Sequence, residues 1–261
     1  MSHENLDGMR RLLQVMRQLR DPDAGCPWDV QQDAQSLARY TLEEAYEVVA
    51  AIESGDDTAL RDELGDLLFQ IVFLTQLASE RSAYEFDTIA AAMADKLVRR
   101  HPHVFANQDK VTPASWEEIK TQERRARGVH GTLDDVPLAL PALVRAVKLG
   151  KRAATVGFDW PDATGPREKV LEELAEVEAA RRGEGSSSVE DEVGDLLLAV
   201  TSLARHLKVD PETALRRANI RFEQRFQGME ALARKRGLGL KNLDAAALER
   251  LWEDVKKGVQ S

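Results

Sequence analysis

Two acidic motifs occur twice in this chain, and their repetition constrains the fold more than any other feature. Leu42-Glu43-Glu44-Ala45-Tyr46-Glu47 resembles Leu171-Glu172-Glu173-Leu174-Ala175-Glu176. Glu63-Leu64-Gly65-Asp66-Leu67-Leu68 resembles Glu192-Val193-Gly194-Asp195-Leu196-Leu197. Glu43 to Glu172 and Glu63 to Glu192 are both offsets of 129 positions. Self-similarity at fixed spacing marks a duplicated structural unit. The order continues downstream with connections of varying length: Lys96 and Arg100 correspond to Arg221 and Arg225, and Trp116 with Lys120 to Trp252 with Lys256. The 261 residues are therefore read as one module written twice.

Periodicity makes the module all-α. Leu60, Leu64, Leu67, Leu68, Ile71, Val72 and Thr75 follow the i, i+3, i+4, i+7 template, and strand alternation of comparable length is absent. Ser54-Gly55-Asp56-Asp57 breaks two such helices, as Gly183 to Ser188 breaks the equivalent pair. Ser188-x-x-Asp191 has the capping-box pattern, and Asp210-Pro211 starts a further helix with proline at its first position. Each half is expected to be a helical hairpin, a helix carrying a cation pair, and a tail helix with Trp-x-x-x-Lys. The apolar runs after Asp66 and Asp195 read as core helices. Gly128, Gly131, Pro137 and Pro141 punctuate the middle, which places a first domain at 1–130, a linker at 131–138 and a second domain at 139–261.

Composition narrows the function classes. Lys and Arg total 36 against 45 Asp and Glu, a net charge of −9, which disfavours general attraction to nucleic acid or to anionic lipid. No apolar run approaches the ~18 residues of a membrane span. Met1 to Arg11 lacks the apolar segment of a secretory signal, and the single cysteine, Cys26, fits a reducing compartment, so a cytoplasmic location is expected.

The carboxylates point to a metal. Glu43, Glu44 and Glu47 share one side of a helix, as do Glu63 and Asp66 on the next. Glu47 and Glu63 each lie about 10 Å from the hairpin turn at ~1.5 Å per residue, so they stand at one height on adjacent helices. The same meeting is expected of Glu176 and Glu192. Four or five converging carboxylates repel one another, and buried charges without a counter-ion cost several kcal/mol each. Oxygen donors with no Cys or His favour Mg²⁺, or Mn²⁺, over Zn²⁺. Ferritin-like di-iron chemistry uses Glu-x-x-His, and none of the five histidines has a glutamate three residues before it. An isolated Glu-Glu-x-x-Glu is usually a solvated helix face; duplication at fixed spacing beside apolar runs argues against that here.

Magnesium held by few carboxylates completes its shell with water and substrate phosphates. Lys169, one turn before Glu173, adds a cation in the second half only, because its counterpart is Tyr40. There is no Gly-rich Walker loop, so phosphate chemistry has to come through the metal.

These residues resemble the MazG family of nucleoside triphosphate pyrophosphohydrolases, within the all-α NTP pyrophosphatase superfamily. Beyond the acidic motifs, the resemblance to the two-repeat bacterial form rests on Gly25-Cys26-Pro27-Trp28-Asp29, Arg99-Arg100-His101-Pro102-His103-Val104-Phe105 and Val156-Gly157-Phe158-Asp159-Trp160. It covers nearly the whole chain. It implies Mg²⁺-dependent hydrolysis of an NTP to the NMP and pyrophosphate, with wide base tolerance, in a helical homodimer. The implied metal ligands are Glu173, Glu176, Glu192 and Asp195, with Glu44, Glu47, Glu63 and Asp66 as first-half equivalents. Glu172 or a ligand glutamate would accept the proton of the attacking water. Nucleotide contacts would fall on Lys169, Arg221, Arg225, Trp252 and Lys256; the family often has Lys where this chain has Arg221. The second repeat is expected to be the main catalytic one. The alternative is a regulatory protein that binds metal and nucleotide without turnover.

Overall fold

A computed structural model describes residues 6–105 and 113–258, without the side chains of 113–117, so the Trp116 side chain lies outside the described residues. All regular elements among the described residues are helical. The chain divides into two compact units, 1–121 and 122–261. No helix among the described residues is long and apolar enough to cross a membrane.

The first unit contains α1 (Asp7–Leu19), α2 (Pro27–Gln31), α3 (Ala34–Ser54), α4 (Asp57–Glu80), α5 (Phe86–Arg100) and α6 (Pro102–Phe105), and α7 (Pro113–Ala126) runs across the division. The α3–α4 hairpin forms where the sequence breaks. Gly55 ends α3 in the left-handed region at φ 72°, and the Asp56 carboxylate accepts from the Thr58 and Ala59 amides to start α4. Asp33 and Ser36 close a capping box at the start of α3 that the sequence reading had not singled out. Met16, Leu37, Val72, Phe73 and Leu77 form the core. Arg20 ties the loop before α3 to the end of α4. Its guanidinium donates to the carbonyls of Asp29, Val30 and Gln32, and its Nε donates to Glu80 Oε1 at 2.9 Å.

The second unit contains α8 (Ala142–Ala154), α9 (Thr164–Arg181), α10 (Val189–His206), α11 (Pro211–Lys235) and α12 (Ala245–Gly258). Ser188 and Asp191 make the expected capping box, and the Asp210 side chain accepts from the Thr213 amide with Pro211 at the first helical position. The stretch 131–138 is folded within this unit. Val136 is buried, and Asp135 pairs with Arg152 of α8 at 3.0 Å. Met229, Ala233 and Leu251 form a small core between α11 and α12.

The expectation that the run after Asp195 is a core segment needs correction. α10 packs against α9 and α8 and buries Ala199 and Thr201. On its other side Leu197, Leu198 and Val200 are 54%, 51% and 44% exposed. Leu171 and Leu174 of α9 are exposed as well. Its neighbours α9, α8 and, more lightly, α11 cover one side of a helix that is apolar nearly all round, and the other side stays open. In α4 the corresponding run does enter the core, through Val72, Phe73 and Leu77.

Candidate metal centre and its cavity

In the second unit the antiparallel hairpin brings three of the four expected ligands together. Carboxylate oxygens of Glu173, Glu176 and Glu192 all lie within 4.8 Å of one another. Glu173 is only 4% exposed. Its Oε1 lies 2.6 Å from Lys169 Nζ, one helical turn away, and its Oε2 is buried with no hydrogen-bond partner. Lys169 also donates to Glu172 Oε1 at 2.8 Å. The carboxylates of Glu172 and Glu173 hold its ammonium group well above the ordinary lysine range, so it stays charged. Glu176 is pushed up from the usual carboxylate range by desolvation, then by Glu173 and Glu192, against the opposing pull of Lys169. Asp195 is exposed and lies outside this group of three, although it lines the same cavity as Glu173.

The first unit repeats the pattern with a different trio. Oxygens of Glu44, Glu63 and Asp66 lie within 4.8 Å of one another, and Glu47 is the expected ligand left outside. Burial, then Asp66 and Glu47, raises the Glu44 carboxyl; burial, then Glu47 and Asp66, raises Glu63. At the position of Lys169 stands Tyr40, whose ring lies edge-on to Trp28 at 6.1 Å and under the Arg39 guanidinium at 4.5 Å. No lysine ammonium stands at that position.

Beside the second cluster is a cavity of about 540 Å³, lined by Glu173 of the trio, by its partner Lys169 and by Asp195. Its remaining wall is largely apolar and comes from Leu133, α8, α10 and the Phe158-Asp159-Trp160 loop. Two glycines make that wall possible. A Cβ on Gly165 would meet Trp160 Cδ1 at 2.0 Å, and one on Gly150 would meet Arg205 Nε at 3.0 Å. Arg205 in turn fixes the loop by donating to Asp159, with one contact at 2.7 Å, and holds that carboxyl below its usual range.

The sequence that forms these clusters is similar to those of known proteins. The model of the MazG nucleotide pyrophosphohydrolase domain matches residues 32–105, which contain the first acidic cluster. Over 254 residues the chain is 49% identical to the nucleoside triphosphate pyrophosphohydrolase of Escherichia coli (strain K12), covering 95% of this chain and 96% of that protein. The chain belongs to the MazG family. It is also 40% identical to the nucleoside triphosphate pyrophosphohydrolase/pyrophosphatase MazG of Thermotoga maritima, over 95% of both chains.

The donor set of this MazG-family chain fits the divalent cation that the family implies. Glu173 carries a buried oxygen with no hydrogen-bond partner, and its carboxylate lies together with those of Glu176 and Glu192, a set of oxygen donors suited to a hard cation. The remaining expected contacts are elsewhere in the second unit. Arg221 and Arg225 are on α11, and Trp252 and Lys256 are on α12. Trp252 packs 5.4 Å from Phe222 against the α11–α12 core, and Lys256 pairs with Glu253 at 2.7 Å. None of the four lines the cavity beside Glu173. Sequence reasoning missed Arg205, Asp159 and the two glycines as builders of that cavity. The Gly157-Phe158-Asp159-Trp160 segment had been noticed, but a single sequence does not pair it with a residue 46 positions away.

Proposed function

We propose that this chain hydrolyses nucleoside triphosphates to nucleoside monophosphates and diphosphate at the α9–α10 centre, with Mg²⁺, or Mn²⁺ in its place. The observation that carries the reading is Glu173: a buried carboxylate with one oxygen on Lys169 and the other bare, inside a trio of converging acids, at the edge of a cavity. The names of the relatives agree with it. Glu173, Glu176 and Glu192 would hold the cation, with Asp195 completing the set. When bound, the ion supplies charge neutralisation at the triphosphate and acidifies water at neutral pH. Lys169 orients Glu172 and Glu173 and places a positive charge where phosphate oxygens arrive. Proton acceptance from the attacking water falls to Glu172 or to a ligand glutamate. Arg221, Arg225, Trp252 and Lys256 would join the site as further substrate contacts.

The first unit is assigned a different part. Glu44, Glu47, Glu63 and Asp66 would bind metal without turnover, because Tyr40 stands in place of Lys169. The exposed apolar residues of α9 and α10 support a homodimer, since a monomeric surface rarely leaves so many large apolar side chains together. Wide base tolerance and a role in clearing unwanted nucleotides from a cytoplasmic pool complete the reading. Incubation with Mg²⁺ and each of several NTPs, followed by product separation, tests it. NMP with diphosphate is the expected result; NDP with orthophosphate, or binding without product, overturns it.

A further inference from the structure

We infer that His206, carrying a proton on both ring nitrogens, positions the Phe158-Asp159-Trp160 loop against the end of α10, so that the attachment of this loop follows pH. Its effect on turnover rests on the proposed hydrolysis at the neighbouring centre; the attachment itself does not. His206 is the last residue of α10, and its side chain is only 9% exposed. Nδ1 lies 3.0 Å from the Ser202 carbonyl oxygen, and Nε2 lies 3.2 Å from the Trp160 carbonyl oxygen and 3.3 Å from the Asp159 carboxylate. All three partners are acceptors. A neutral imidazole has one N–H and one lone pair, so it would set one nitrogen against an oxygen with no hydrogen between them. The imidazolium donates on both sides. The Ser202 carbonyl also belongs to the last turn of α10, where the partial negative charge of the helix end favours a cation.

The surrounding charges ask for the same proton. Arg205 donates to both oxygens of Asp159 and, with His206, holds that carboxyl below its usual range against the cost of burial. Asp162 is lowered as well, first by the Thr164 amide and also by His206. Two carboxylates against one guanidinium leave one negative charge in excess, and the second ring proton balances it. Among the other elements packed on α10, α8 and α11 bring Lys151, Asp210 and Arg216 near its C-terminal end, where Arg216 and Lys151 act on Asp210. The first turns of α9 carry Arg167 and Glu168, both exposed, and Lys169, which is engaged with Glu172 and Glu173. The first unit has no such device. The offset of 129 positions places Leu77, a core residue, where the second unit has His206. There the loop is held instead by Arg20 through backbone carbonyls. The titratable clamp therefore belongs to the unit that carries Lys169.

Nuclear magnetic resonance of the full chain, with ¹⁵N-labelled histidine and tryptophan, reads both ends of the contact. The Trp160 ring lies edge-on to His206 at 6.2 Å, so its indole N–H reports on the loop; Trp160→Phe and His206→Gln assign the two signals. In the wild-type protein at pH ~5.5 both His206 nitrogens are expected to carry hydrogen, and the indole signal is expected to move as the second proton leaves toward pH ~8, the span in which histidine changes charge. In His206→Gln the indole signal is expected to stay fixed over that span. Steady-state kinetics with an NTP and Mg²⁺ adds a readout that a purely structural histidine does not move. Between pH ~6 and ~8 the KM of the wild type is expected to rise by ~2–30-fold relative to that of His206→Gln, the range of charge effects at a helix C-terminus, with kcat alike in the two proteins. If His206→Gln does not fold, the wild-type titration decides alone. An indole signal that stays fixed while His206 loses its proton, a singly protonated ring at pH ~5.5, or a His206→Gln indole that still moves overturns the clamp. Absence of NTP turnover overturns the hydrolase reading and leaves the resonance test of the clamp standing.

Discussion

Lys169 Nζ lies 2.6 Å from Glu173 Oε1, while the other oxygen of that buried carboxylate has no hydrogen-bond partner among the described residues. One oxygen is anchored and the other is left for a ligand. In the proposed centre Lys169 would be both an orienting group and a competitor for the negative charge that attracts a cation. Lys169→Met is therefore expected to act in opposite directions on two readouts. Mn²⁺ binding without nucleotide tightens severalfold, and kcat/KM for an NTP falls by roughly 10–100-fold, the usual range for losing a group that orients a metal ligand. Calorimetric titration and steady-state kinetics read the two effects; parallel losses in both would contradict this account.

Gly165 gives room to the Trp160 indole. With an added Cβ only 2.0 Å from Cδ1, Gly165→Ala forces the ring to move. Since Trp160 is 42% exposed it can swing outward, so the expected stability change is small, about 1 kcal/mol or less. The KM for NTPs rises, and the shift appears in Trp fluorescence. An unchanged KM with an altered emission spectrum would remove Trp160 from the site.

Arg20 and Glu80 give the first unit a pH-dependent tie. The Arg20 guanidinium, held against three backbone carbonyls, lowers the Glu80 carboxyl below its ordinary value of 4.5. A lowered native pKa means that this contribution is fully present above 4.5 and is lost as pH falls through the native pKa. Denaturant melts of wild type and Glu80→Gln should differ at neutral pH and converge in acid. Arg20→Ala removes the carbonyl contacts as well and is expected to cost about 1–3 kcal/mol at neutral pH.

Leu197 is 54% exposed on the open side of α10. If that side is the interface between two copies, Leu197→Glu places an unpaired charge in it and raises the dimer dissociation constant by at least ~10-fold. Sedimentation velocity at several concentrations checks this. A wild-type protein that stays monomeric would contradict the interface.

The helical frame was largely legible in the sequence because its signals are local. Ser54 to Asp57, Ser188 with Asp191, and Asp210 with Pro211 each act within one turn, and each stop or cap occurs where the residues put it. The meeting of Glu173, Glu176 and Glu192 was legible as well, because hairpin geometry converts loop length into height along two helices. The cavity was not. Arg205 reaches Asp159 across 46 positions, and Gly165 matters only because of where Trp160 lies in space. The exposed side of α10 was misread for a related reason. A run of leucines shows that a face is apolar, and it does not show which neighbour covers it.

The central claim is that turnover belongs to the cluster holding Lys169, and paired substitutions test it most directly. Glu192→Gln and Glu63→Gln each remove one negative charge from one trio with almost no change of shape. Formation of NMP and diphosphate from an NTP with Mg²⁺ is expected to fall by roughly 100-fold or more in Glu192→Gln and to stay within about threefold of wild type in Glu63→Gln. Loss of activity in Glu63→Gln with Glu192→Gln active would place the chemistry in the first unit and contradict the account.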